Sequence, residues 1–117
     1  MTAESIIFAT LRGLVADRVF PDVAPEGTAR PYCTYQQVGG AAVNFTDGGI
    51  PSKRNGRYQI NCWSDSRPQA ALLARSVESA LRPVPTLLTT VLGGPVAEYE
   101  EDTKLFGTRQ DFSFWTD

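Results

Sequence analysis

The chain has 117 residues, 42% hydrophobic and 21% charged, a size and balance that can bury a core without disulfide or metal support. Eleven basic residues against thirteen acidic ones leave a net charge of -2, which argues against a dedicated nucleic-acid binder. No run approaches the roughly 18 apolar residues of a membrane span, the start Met1-Thr2-Ala3-Glu4-Ser5 lacks the basic n-region of a signal peptide, and two cysteines are too few for a disulfide scaffold.

The first predicted element is a helix over 3–17. Thr2 is placed to cap it, Glu4 favours its positive start, and Ile7, Leu11, Leu14 and Val15 recur at helical spacing. Arg18-Val19-Phe20-Pro21 reads as a short extended piece, and the Pro, Gly and Ala content of 22–30 predicts a loop. Residues 32–38 carry the aromatic and β-branched content of a strand, which Gly39-Gly40 stops. In 57–63, Tyr58, Ile60 and Cys62 alternate with Gln59 and Asn61, the period of a half-buried strand. Cys33 and Cys62 fall in these two strands and are expected to be buried thiols.

The segment from Gly39 to Gly56 is too long for a tight hairpin turn, and connections of this length in compact folds tend to carry function. Within it, Asn44, Phe45, Asp47, Lys53 and Arg54, with Arg57 just beyond, are the expected contacts with a partner or another copy. Gly48-Gly49-Ile50-Pro51-Ser52-Lys53 lacks the spacing of a phosphate loop and no helix follows it.

Asp65-Ser66-Arg67-Pro68-Gln69 opens the second helix. Ser66 with Gln69 fits a capping box, and Pro68 suits a first turn. Ala70, Leu73, Ala74, Val77, Ala80 and Leu81 form one apolar face, and Pro83 ends the helix. Apolar and β-branched residues predict a strand over 86–92. Residues 96–101 and 108–115 predict a closing hairpin, with Phe112 and Phe114 alternating against Asp111 and Ser113. This order implies one α+β domain over 1–117, a mainly antiparallel sheet of four to five strands with two helices on one face.

Chemistry is sparse in this sequence. It has no histidine, which removes Ser-His-Asp and Cys-His catalysis and most zinc sites. Glu98, Glu100, Glu101 and Asp102 are its densest acidic cluster. In a strand they point to both faces, as solvated edge charges do. No catalytic, cofactor or metal residue is assigned, and no enzymatic activity is expected.

Taken in order, Asp17-Arg18-Val19-Phe20-Pro21, Val23-Ala24-Pro25-Glu26-Gly27, Pro31-Tyr32-Cys33-Thr34-Tyr35-Gln36, Arg57-Tyr58-Gln59-Ile60-Asn61-Cys62-Trp63-Ser64 with the alanine-rich helix through Leu81, and Arg109-Gln110-Asp111-Phe112-Ser113-Phe114-Trp115 form a recognisable series. The chain resembles the tail-completion (neck) proteins of long-tailed phages and prophages. The resemblance implies a fold similar to siphophage tail terminators. It further implies a structural virion protein, made in the host cytoplasm, that forms a ring, expected to be a hexamer, at the head-proximal end of the tail. Implied partners are other copies, the major tail tube protein and a head–tail connector, with DNA only passing through. The other readings weighed are a monomeric host binding domain and a small carboxylate-dependent enzyme. A stable monomer with an ordered 39–56 loop would favour the first, and loss of activity in Glu100→Gln the second.

Overall fold

A computed structural model describes residues 2–117. Its elements are α1 (Ala3–Leu11), β1 (Val19–Pro21), β2 (Tyr32–Gln37), β3 (Arg54–Ser64), α2 (Arg67–Leu81), β4 (Thr90–Val91), β5 (Val96–Glu100) and β6 (Leu105–Thr116). The fold is α+β. Among the described residues, six strands form one sheet in the order β1-β2-β3-β6, with β4 and β5 sharing the outer edge of β6. The strand beyond the expected five is β1, where the short extended piece pairs in parallel with β2, Val19 opposite Cys33. All other pairs are antiparallel.

α1 starts as its sequence dictates, with the Thr2 hydroxyl accepting from Ser5 N at 3.1 Å. It stops earlier than expected. After Leu11 the chain tightens into a 3₁₀ turn over Arg12–Leu14, then reverses with Ala16 and Asp17 at positive φ. The Asp17 amide bonds to Arg12 O and its carboxylate to the Arg12 side chain. The tighter pitch rotates Leu14 off the apolar stripe, so Leu14 is exposed while Ile7, Leu11 and Val15 are buried.

α2 buries Ala70, Leu73, Ala74, Val77 and Leu81 against the sheet, as its spacing predicts. Its cap differs in one respect from a simple capping box. Ser66 Oγ accepts from Gln69 N at 3.3 Å, but the Gln69 side chain accepts from the Ser64 hydroxyl, which in turn takes the Ser66 amide. The return bond is thus relayed through the last residue of β3, and this ties the helix start to the sheet. Arg67 leaves solvent to donate to Gly107 O at 2.7 Å and to lie over the Phe106 ring.

The core lies between the two helices and one sheet face, where Tyr58, Ile60 and Cys62 of β3 meet Phe112 and Phe114 of β6. The expected strand over 86–92 is mostly a turn. Leu88 has φ 46, and Leu87 is a fully buried plug whose carbonyl accepts from Trp115 N. Only Thr90 and Val91 pair, opposite Ser113 and Phe112. Gly93-Gly94-Pro95 then bulges outward before β5 rejoins β6 at Val96 opposite Arg109. Buried Gln110 holds this bulge. Its Nε2 donates to Gly93 O and to Glu78 Oε1, both at 2.8 Å.

The hydrogen bonds from Gln110 and Arg82 hold the Glu78 carboxyl below its usual range. A depressed folded value stabilises the fold above the unfolded pKa, and that stability is lost as pH falls through the folded value. Stability is therefore expected to fall as pH drops below about 4.5, the ordinary glutamate value. Glu78→Gln should flatten that part of the curve, measured by urea denaturation at stepped pH.

Candidate functional site

Two features stand out from the sheet. One is the arm between β2 and β3. Residues 38–53 form neither helix nor strand, and nearly all are exposed. At its base the Val38 amide bonds to Arg57 O and the Arg57 amide to Gly39 O. Asn55 fastens the arm from both sides. Its Oδ1 accepts from Ala41 N at 2.8 Å, and its Nδ2 donates to Ser113 Oγ and Phe114 O. Gly40 passes so close that a Cβ would sit 2.5 Å from Asn55 O, and its φ of +146° would strain any other residue. At the tip, Gly48 N bonds to Phe45 O and Gly49 N to the Asp47 carboxylate, which makes a tight turn.

The six expected contact residues are only partly brought together. Asn44, Phe45 and Asp47 lie at the exposed tip. Lys53 lies at the arm's base, 2.7 Å from Asp117. Arg54 begins β3 and is exposed, with no ion-pair partner among the described residues. Arg57 lies within the sheet and pairs with Asp111 at 2.8 Å. The strand extends past Tyr58 because its backbone pairs with β6 all the way to Arg54 opposite Thr116, although the apolar alternation has already ended.

The second feature was not foreseen. Parallel neighbours such as β1 and β2 cannot be joined by a tight turn. Residues 22–31 therefore travel back across the sheet face opposite the helices, and they roof a cleft of about 520 Å³. Its floor is Thr34, Asn61, Trp63 and Leu105. Gly107 makes room for Trp63, since a Cβ there would meet the indole at 2.6 Å. Burial, then the nearby Glu100 carboxylate, push the Tyr32 phenol at the cleft wall above its usual range. The cleft draws on three separate stretches of the chain, 22–34, 59–63 and 98–105, and only the polar alternation of β3 hinted that this sheet face is open.

Among the described residues the geometry assembles no acid–base or nucleophile pair. Among the described residues no three of His, Cys, Asp and Glu converge as a metal set. The acidic cluster is dispersed, with Glu98 3.6 Å from Arg109 and Glu101 3.2 Å from Lys104 in the turn. Cys33 and Cys62 face each other across β2 and β3 as free, buried thiols, 3.8 Å between sulfurs. The bond to Cys62 and burial push the Cys33 thiol above its usual range, which favours its protonated form.

A model for the family described as Tail completion protein gp17 matches residues 7–117. The chain belongs to the tail completion protein gp17 family. No curated protein matches it. Membership spans the whole sheet, both the arm and the cleft, and most of α1. A tail-completion protein is a structural part of a phage tail.

Proposed function

We propose that this chain is a non-enzymatic virion protein, folded as one domain over 1–117, that closes into a ring at the head-proximal end of a phage tail. The ring, expected to be a hexamer, ends tail-tube growth and offers a surface for joining the head. Its partners are copies of itself, the major tail tube protein and a head–tail connector. Assembly takes place in the host cytoplasm, and DNA passes through without being read.

One observation carries this reading: a family match over nearly the whole chain falls on a rigid sheet-and-helix body that projects an unpartnered arm. A ring needs a heterologous contact, in which one patch on each subunit meets a different patch on the next. An elongated body of 52 × 25 × 24 Å with unlike features along its length suits such a contact. Asn44, Phe45, Asp47, Lys53 and Arg54 are the contacts proposed on the arm, with Arg57 supporting its base. A net charge of -2 lets copies approach without strong repulsion.

Electron microscopy of tails assembled with and without the chain tests the proposal. Without it, tails are expected to vary in length and to lack heads. Tails of normal length that carry heads in its absence would rule the proposal out.

A further inference from the structure

The arm and the cleft lie at separate places along β3. The arm returns at Arg54, while Asn61 and Trp63 floor the cleft. The cleft's lining on β3 begins at Gln59, five residue steps from Arg54, or about 16 Å at roughly 3.3 Å each. Among the described residues no hydrogen bond or ion pair joins the arm to its own cleft, and a second copy can bring the two together.

Their chemistries are complementary. The arm exposes Phe45 by 51% and Ile50 by 83%, with the cations Lys53 and Arg54 at its base and Asp47 as its one carboxylate. The cleft offers apolar surface on Val23, Tyr32, Trp63 and Leu105. Its charged lining is Asp22, Glu26, Glu98 and Glu100 against the single cation Arg30, which is already paired with Asp65 at 2.9 Å. Asp22, Glu26 and Glu100 have no cationic partner among the described residues. The volume of about 520 Å³ lies in the usual range for pockets that seat a few side chains.

We infer that the cleft is the acceptor for the arm of a neighbouring copy. Phe45 and Ile50 enter it, and Arg54, the arm's unpaired cation among the described residues, meets the carboxylates Asp22 and Glu26 at its rim. This inference rests on the ring reading and supplies its heterologous contact. Donor and acceptor are different patches, so each copy gives one arm and takes one, and the rotation between copies closes the ring. Charge complementarity of this kind sets partner orientation more than raw affinity.

The test uses the full chain with Ile50→Cys and Val23→Cys together, assembled into tails and treated with a short bismaleimide. Val23 is 79% exposed, and both native thiols are buried. The expected product is a ladder of chain-only multimers that ends at the ring number, with neither single variant giving more than background. Tails of normal length that contain the double variant but yield no ladder, or only adducts with the tube protein, overturn the arm–cleft contact and leave the ring reading standing. Headed tails of normal length that lack the chain altogether sink both. Charge exchange gives an independent measurement. Arg54→Glu and Glu26→Arg should each lower the yield of headed tails by at least about tenfold, and the two together should restore it. Failure of the pair to restore what each single change removes also overturns the contact.

Discussion

Phe112→Ala is expected to destabilise the fold by about 3–5 kcal/mol, the range for truncating a buried phenylalanine. Phe112 is fully buried at the centre of the longest strand, where it pairs across to Tyr58 of β3 and to Val91 of β4. Its ring stacks on Phe114 at 5.9 Å between centroids and 8° between planes, and Phe114 in turn meets Tyr58 at 5.6 Å. Removing one ring leaves the others facing a void, so the cost exceeds the lost transfer energy. Against a total stability of about 5–15 kcal/mol, the variant is marginal. The midpoint should fall by roughly 12–20 °C, at about 4 °C per kcal/mol for a chain of this size. Calorimetry beside Leu72→Ala separates the core from the surface. Leu72 sits on α2 but is 65% exposed, and its truncation should stay within about 0.5 kcal/mol. Equal losses in the two variants would mean that the Phe112–Phe114 layer does not anchor the sheet.

That layer was legible in the sequence because Phe112 and Phe114 alternate with Asp111 and Ser113, and a strand with one buried face leaves that mark. α2 was legible for the same kind of reason, since Ser66, Pro68 and the Ala70–Leu81 spacing all point to one helix. The misreadings cluster where local preference was overruled by tertiary contact. Leu87 is as apolar in a buried turn as in a strand, and the bond from its amide to Val84 O, with Leu88 at positive φ, makes it a turn. Residues 12–17 continue a helical pattern, yet the chain must reverse there to deliver Val19 beside Cys33. The cleft left little trace, because its walls come from segments far apart in the chain. The loop over 22–30 was readable as a loop, but not as a roof. That role follows from the parallel pairing of β1 with β2, a non-local fact.

The arm gives the opposite signature to the core. Excising residues 42–52 and closing the gap with a short glycine turn is expected to leave the melting temperature unchanged or slightly higher. None of those residues belongs to the core. Shortening a flexible connection also relieves closure entropy, by about 0.6 kcal/mol per halving of its length. The staple at the base survives, because Asn55 still reaches Ala41, Ser113 and Phe114. Tail completion, by contrast, should fall to the level seen without the chain, counted as headed tails by electron microscopy. Phe45→Ser with Ile50→Ser should fall between, since the backbone of the arm remains while its apolar side chains are lost. This pairing of intact folding with lost assembly separates a contact surface from a structural element. A core variant loses assembly only as far as it unfolds, and lowering the temperature should recover it. An arm-deleted chain should not recover at any temperature. Headed tails of normal length from the arm-deleted protein would show that the subunits join through some other surface, and the outer edge of β5, which no strand pairs among the described residues, would be the next place to look.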